Sequence, residues 1–328
     1  MGNSAAILRV CNLTVQFQMA KDTVHAVNGI DFELNNGETL GIVGESGSGK
    51  SVTIKSIMRL LPTIPAGAIF YNDEDLLKLS EDRMRDIRGK EISMIFQNPM
   101  TAFNPVLPIG KQIAESIEFH EDVTAQERRF RVFELLSEVG ISNPEYRALQ
   151  YPHEFSGGML QRAMIASSLI CSPKIVLADE PTTGLDVTIQ AQIIRLIKQI
   201  KETRQMSLIW ITHDLSLLAG LADRIAVMYG GRIVEQANVD ALYERPLHPY
   251  TQGILASIPT LSTDRSSLLF SIPGLPPKPM ALPQGCAFCE RCKEAMPICG
   301  DRVPALKESK NNHLVACWKY ESECGGNE

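Results

Sequence analysis

No stretch of this 328-residue sequence approaches the roughly 20 consecutive apolar residues that cross a bilayer as a helix. That absence leaves any membrane role to be exercised through a partner. The first residues, MGNSAAILRV, lack the apolar core of a signal peptide. Met1-Gly2 opens in the manner of a myristoylation site, but Ala6 stands where Ser or Thr is needed. An excess of positive charge is missing too. Lys and Arg number 32 against 38 Asp and Glu, so a net charge of -6 argues against a general nucleic-acid surface. Before residue 285 cysteine is sparse: only Cys11 and Cys171 of the eight occur there, and both read as ordinary buried thiols. These absences lead to the expectation of a cytosolic chain.

What is present is an ordinary globular composition, 44% hydrophobic and 21% charged, on a chain long enough to bury a substantial core. Residues 7–17 and 25–43 have strand character, and GETLGIVG (37–44) is a buried strand running into a glycine-rich turn. Ile54, Ile57, Met58 and Leu61 give residues 50–61 helical spacing. Residues 99–165 read as mostly helical. KIVLADEP (174–181) and MSLIWIT (206–212) are buried strands around a helix at 187–203, and RIAVMYGGRIVE (224–235) closes the core as one more strand. Strands alternating with helices predict an α/β fold with a mostly parallel sheet. At 271–285, SIPGLPPKPMALPQG holds five prolines and reads as an extended connector that detaches the C-terminal tail from the core. No internal repeat is visible.

The strongest motif is GESGSGKS, Gly44 to Ser51, between a strand and a helix as the phosphate-binding loop requires. Gly44, Gly47 and Gly49 let backbone N–H groups turn inward, and the segment Gly44-Glu45-Ser46-Gly47-Ser48-Gly49 ends at a helix N-terminus of partial positive charge. Lys50 is placed to reach the β- and γ-phosphates and Ser51 to ligate Mg²⁺. In IVLADEP (175–181) four apolar residues deliver Asp179 to a strand end, where it would hold Mg²⁺. Glu180 is the candidate to orient or deprotonate an attacking water. Together these define a P-loop NTPase. Upstream, FSGGMLQR (155–162) offers Ser156 and the N–H groups of Gly157 and Gly158 to a γ-phosphate, although Ser-Gly-Gly alone is equally a helix cap.

With these motifs in order, residues 7–240 resemble the ABC ATPases. FSGGM resembles that family's signature, with Phe155 for the usual Leu and Met159 for the usual Gln. The resemblance implies that Ser156, Gly157, Gly158 and Met159 serve a nucleotide bound to the opposite subunit. It also implies that Gln97 in MIFQNP is the Q-loop residue touching Mg²⁺ and water. Asp186 in TTGLD would lie at a dimer seam, and His213 in WITHD would contact the γ-phosphate. Phe17 would stack on adenine; its alternative is an ordinary strand core residue. The implied fold is an ABC-type α/β core with a mixed sheet (1–98 and 166–240), an inserted helical subdomain (99–165) and a C-terminal extension (241–328).

RPLHPYTQGILASIP (245–259), the proline connector, a cysteine-bearing tail and RGKEISMIFQNPMTAFNP (88–105) further resemble the oligopeptide/dipeptide importer branch. That branch also holds nickel and glutathione importers, so either cargo is the alternative to peptides. A soluble ABC ATPase of repair, translation or cluster assembly is the reading from another class. The resemblance implies ATP and Mg²⁺ as ligands, and a second, homologous ATPase subunit as partner in a heterodimer. Two permeases, an extracytoplasmic solute-binding protein and a peripheral position on the cytoplasmic membrane face complete the expected assembly.

The tail itself spaces Cys286, Cys292, Cys299 and Cys317 as C-x₅-C-x₆-C-x₁₇-C. In a reducing compartment such clustering favours a metal over disulfides. The resemblance implies a [4Fe-4S] cluster on these four, with zinc as the alternative. Cys289 adds a C-x-x-C with Cys292, His313 offers a zinc-type ligand, and Cys324 stands apart near the C-terminus.

Overall fold

The computed structural model describes residues 6–20, 22–259, 270–310 and 312–321; Cys324 lies outside them. The chain divides into two compact units. One comprises Asn35–Glu38 and Lys78–Ile211, the other Ala6–Leu34, Thr39–Leu77 and the described part of Thr212–Glu328.

In the second unit the strands run Thr23–Asn35, Ala6–Gln18, Ala66–Tyr71 and Glu74–Asp75 across one sheet. Ala6–Gln18 pairs antiparallel with Ala66–Tyr71, Leu8 opposite Tyr71 and Val10 opposite Ile69. The register shifts between Cys11 and Thr14, with Asn12 at φ 45°, so burial passes from Leu8 and Val10 to Leu13 and Val15. Side chains alternate faces with period two, so with Leu8 and Val10 inward Cys11 points outward, and the irregularity after it leaves Asn12 exposed before Leu13 turns in. The expectation of a buried thiol there is corrected: Cys11 is exposed. Cys171 is half-buried, and burial pushes its thiol up to about 11.

The same unit contributes a second run of strands. In order these are Lys307–Lys310, His313–Val315, Arg232–Asn238, Arg224–Tyr229 and Thr39–Val43. Only the last pair is parallel, Leu40 opposite Arg224, so the sheet is mixed as expected. The single strand expected at 224–235 is instead a hairpin. Gly230 and Gly231 sit at φ 55° and 77°, the left-handed pair that a tight two-residue turn demands. A Cβ on Gly231 would lie 2.3 Å from Asn28 Nδ2, so the turn also needs glycine for space. The helix expected to Leu61 stops earlier, at Lys50–Ile57, where Arg59 adopts φ 50°.

The extension is stitched to this unit rather than detached, which corrects the expectation from the proline connector. Val315 pairs with Glu235 and Leu314 with Gln236, while the connector accepts a hydrogen bond from His25 N–H at the Pro279 carbonyl, 2.9 Å. His313 is committed elsewhere than to a metal: its Nε2 lies 2.6 Å from Glu235 Oε1, and both residues are buried. The Glu235 carboxylate also accepts from the backbone N–H groups of Leu247 (2.6 Å) and His248 (2.9 Å). A buried carboxylate is stable only when it is satisfied in this way.

His248 starts the helix Pro249–Ala256, its Nδ1 accepting from Tyr250 N–H at 3.0 Å. Burial lowers its pKa to about 4, against an opposing pull from Glu235. The unfolded chain therefore takes up a proton near pH 6.5 that the folded chain refuses until about pH 4. Stability is full above pH 6.5 and declines as pH falls toward 4, by up to about 3 kcal/mol. Melting curves from pH 7.5 to 4.5 should show this loss, and His248→Asn, which keeps a cap acceptor without titrating, should flatten it. An unchanged slope in that variant would refute the assignment.

The first unit holds the parallel strands Ile92–Ile95, Ile175–Asp179 and Ser207–Thr212, with Ile92 opposite Ile175 and Ile175 opposite Ser207. Every residue of the first two is buried, as parallel strands covered on both faces require. Helices Ile109–His120, Ala125–Glu138 and Gly157–Leu169 pack on one another. Ile109, Ile113 and Ile117, spaced four apart, supply the buried stripe of the first. The helix Val187–Arg204 buries Ile193, Ile197 and Ile200. Among the described residues no helix is long and apolar enough to cross a membrane.

Candidate nucleotide site

The glycine-rich loop leaves the buried strand Thr39–Val43 and enters the helix Lys50–Ile57. Its glycines are needed for two reasons. Gly47 and Gly49 adopt φ 79° and 100°. A Cβ on Gly44 or Gly49 would lie 2.1 Å from the Met228 carbonyl oxygen and 2.4 Å from that of Ala26. The chain thus passes too close to its neighbours to carry side chains there. Ser48 N–H closes the turn onto the Glu45 carbonyl at 3.2 Å, and the Ser48 carbonyl accepts from Gly231 N–H at 3.2 Å. The Ser48 hydroxyl is buried without a hydrogen-bond partner among the described residues. Lys50 is buried, and its ammonium donates to the carbonyls of Gly44 (2.7 Å) and Glu45 (2.9 Å). A curled loop with a buried cation and a helix N-terminus behind it is chemically an anion cradle. Ser51 lies in the first helical turn, half-buried.

Three residues of the C-terminal region surround the loop, and sequence reasoning assigned none of them. The Tyr250 hydroxyl accepts from Glu45 N–H at 2.9 Å. Arg291 forks the Glu45 carboxylate at 2.8 and 3.0 Å and also donates to the Tyr229 hydroxyl at 3.1 Å. Burial raises the pKa of both tyrosines, so both stay protonated. The ring of Phe288 packs against Tyr229 and Tyr250 at centroid distances of 5.2 and 5.4 Å. The signal in the sequence was Glu45 itself: a carboxylate in a loop built for anions demands a cation nearby.

In the first unit, Asp179 ends the strand Ile175–Asp179 and is buried. Glu180 is next in the chain at φ 44°, a left-handed conformation that costs a non-glycine residue about 1 kcal/mol or more. Its N–H donates to the Ile211 carbonyl at 3.1 Å. The Glu180 carboxylate accepts from Thr183 Oγ1 at 2.9 Å and from Gln97 Nε2 at 3.3 Å. Gln97 and Glu180, 83 positions apart, are therefore brought together. Such strain is held in place by the hydrogen bonds of the surrounding strand end.

Ser156 caps the helix Gly157–Leu169, its Oγ accepting from Met159 N–H at 3.3 Å. A Cβ on Gly158 would stand 3.2 Å from Ile189, so that glycine lets two helices approach. Asp186 caps Val187–Arg204 through Ile189 N–H at 2.9 Å. Phe17, half-buried on the first strand, and His213, exposed after Ser207–Thr212, belong to the loop's unit. Gln97, Ser156 to Met159, Asp179, Glu180 and Asp186 belong to the other.

The tail cysteines lie in the loop's unit. The thiols of Cys292, Cys299 and Cys317 stand near enough to Cys286 to oppose its ionisation. Burial is the larger cause and pushes Cys286 up to about 11. Among the described residues, however, no group of three or more His, Cys, Asp or Glu is arranged to hold a metal ion. The metal set expected from the sequence, whether for a cluster or for zinc, is thus not found as a site among the described residues. His313 is engaged by Glu235.

Comparison with known proteins agrees with this architecture. A family model described as ABC transporter matches residues 27–183, and one described as oligopeptide/dipeptide transporter, C-terminal region, matches 234–299. The oligopeptide transport ATP-binding protein OppD of Bacillus subtilis (strain 168) is 48% identical over 316 residues, covering 95% of this chain and 88% of that protein. The dipeptide transport ATP-binding protein DppD of the same organism is 48% identical over 95% of this chain and 94% of its own length. Among solved structures, the dimeric ATP-binding cassette MJ0796 bound to ADP and Pi matches with a TM-score of 0.65 at 27% identity. That match covers 71% of this chain and 98% of the cassette. The chain belongs to the ATP-binding proteins of ABC transporters, in the branch of the oligopeptide and dipeptide transport ATP-binding proteins.

Proposed function

We propose that this chain hydrolyses ATP to drive an importer of di- and oligopeptides. The observation that carries this is the curled loop Gly44–Ser51 with buried Lys50, in a chain 48% identical along 95% of its length to peptide-transport ATP-binding proteins. In this reading Lys50 and the N–H groups of the loop Gly44–Ser51 other than those of Glu45 and Ser48, which are bonded within the protein, cradle the phosphates. Ser51 and Asp179 hold Mg²⁺ with Gln97, and Glu180 takes a proton from the attacking water. His213 senses the γ-phosphate and Phe17 stacks on adenine. Ser156, Gly157, Gly158 and Met159 act on the nucleotide of a facing subunit, with Asp186 at the seam. Catalysis is then positioning and electrostatics, with neither site complete in one chain.

The facing subunit is a homologous second ATPase. The pair sits on two permeases at the cytoplasmic face of the membrane, supplied by an extracytoplasmic solute-binding protein. Disruption of the gene should abolish uptake of a labelled tripeptide, restored by the wild-type chain but not by Glu180→Gln. Normal tripeptide uptake without the gene would refute the peptide reading. Affinity purification of the intact complex should recover a second ATPase; this chain as the sole ATPase would refute the heterodimer.

We propose further that the tail holds an iron–sulfur centre, with zinc as the alternative. Cys299 is buried and Cys286, Cys292 and Cys317 are half-buried, and the thiols of these last three, pushed upward by burial, need a positive centre to ionise. A [4Fe-4S] cluster takes one thiolate at each corner iron, so its ligands need not meet at a point. Bound there, the cluster would cross-link a segment poor in apolar side chains. Cys289 also lies near Cys292 and Cys299 but departs from the four-cysteine spacing, so it is left out of the ligand set. Protein purified without oxygen should be brown, with iron and sulfide. Cys317→Ser should lose the colour, while Cys289→Ser should keep it. Colourless anaerobic protein with stoichiometric zinc would overturn this.

A further inference from the structure

Glu45 raises an electrostatic problem. It lies in the loop proposed to hold a polyanion, where an uncompensated carboxylate would repel the phosphates. The compensating charge comes from 246 positions away, on the C-terminal tail. Arg291 is nearly buried, 7% exposed, and every N–H of its guanidinium is used. Two donate to the Glu45 carboxylate at 2.8 and 3.0 Å, and one to the Tyr229 hydroxyl at 3.1 Å. The other two go to the carbonyls of Pro273 (3.0 Å) and Ile272 (3.3 Å) in the proline connector. Its cation also stands over the rings of Tyr229 and Phe288 at 5.7 and 5.8 Å. A planar fork fixed from five directions is a built contact and not a surface ion pair. Arg291 ends the short turn Cys289–Arg291, directly before Cys292.

We propose that Arg291 is a positioning residue of the nucleotide site. It neutralises Glu45 and holds its carboxylate aside, so the cysteine tail sets the affinity of the phosphate loop. This rests on the reading of Gly44–Ser51 as a phosphate loop. Two consequences separate it from a merely structural tether. The penalty for losing the cation comes from the charge of Glu45, so removing that charge cancels it. The coupling is also reciprocal: what the tail does for the nucleotide, the nucleotide does for the tail.

The test uses full-length protein purified without oxygen and binding of Mg-ATP measured by titration. Arg291→Gln keeps amide donors for the connector carbonyls and removes the charge; it should weaken binding about tenfold. Glu45→Gln alone should bind at least as well as wild type. The double variant Glu45→Gln/Arg291→Gln should return to within about threefold of wild type. Arg291→Lys, which keeps the charge without the fork, should fall between. Saturating Mg-ATP should slow alkylation of Cys289 in the wild type, and Arg291→Gln should abolish the protection. Wild-type affinity in Arg291→Gln would overturn the proposal, as would a double variant as weak as Arg291→Gln. Alkylation of wild-type Cys289 at equal rates with and without nucleotide would also overturn it. Wild-type binding by Lys50→Ala would instead remove the phosphate-loop reading beneath it.

Discussion

Lys50→Ala should lose Mg-ATP binding. The ammonium is buried and donates to the carbonyls of Gly44 and Glu45, so it holds the loop curled as well as offering charge to phosphate. Charge-assisted hydrogen bonds contribute about 1.5–3 kcal/mol each. Losing one to the phosphates and two to the loop predicts an affinity lowered by a hundredfold or more, on the order of 3 kcal/mol. The glycines that shape the backbone are untouched, so the variant should melt as one transition near the wild type. Titration calorimetry with Mg-ATP is the direct measurement. Wild-type affinity would show that the loop does not bind phosphate in the way its geometry suggests.

Glu180→Gln should separate binding from turnover. The amide is isosteric with the carboxylate and can still accept from Thr183 Oγ1, at 2.9 Å in the structure, so the strained turn at Glu180 should persist. What disappears is the proton acceptor, and general-base assistance is worth on the order of 10²–10⁴ in rate. Steady-state ATPase activity should fall at least a hundredfold, with Mg-ATP affinity retained. The complex should then accumulate with ATP trapped in a closed pair of subunits, visible by size exclusion and by nucleotide retained after desalting. Turnover at the wild-type rate would sink the assignment of Glu180. Weaker ATP binding without a drop in turnover would place Glu180 in the binding of Mg²⁺.

Much of the architecture was legible because its signals are local. GETLGIVG announces a buried strand by an apolar run and a turn by its glycines, and the strand Thr39–Val43 leading into the loop is what forms. IVLAD and SLIWIT are continuous apolar runs, which parallel strands covered on both faces require. Errors fell where a local signal was read too weakly or where pairing overruled it. Gly230-Gly231 inside an apolar run was a hairpin turn passed over, since two adjacent glycines suit two left-handed positions. Residue type alone suggests that Cys11 is buried, but the period-two alternation set by Leu8 and Val10 puts it on the outer face. Five prolines between 271 and 285 predict a detached tail. Proline restricts its own φ and donates no hydrogen bond, yet the Pro279 and Pro273 carbonyls still accept, from His25 N–H and from Arg291.

Within the candidate site the same division holds. Spacing nominated Gly44 to Ser51, Asp179 and Glu180, because the loop and the strand-end carboxylates need particular residue types close together, and the resemblance to the ABC ATPases added Gln97, Ser156 and His213. That Gln97 meets Glu180 is a tertiary fact: it depends on the parallel strands Ile92–Ile95 and Ile175–Asp179 ending side by side. His313 looked like a spare metal ligand by residue type, and only the pairing of His313–Val315 with Arg232–Asn238 set it against Glu235. The sequence by itself determined the class of protein and the phosphate chemistry, because short-range spacing controls backbone curl and strand ends. The tertiary structure alone decided that Arg291 neutralises Glu45 and that Tyr250 anchors the loop. A charge pair across 246 positions leaves no periodicity in the chain, and only folding brings its members within hydrogen-bonding distance.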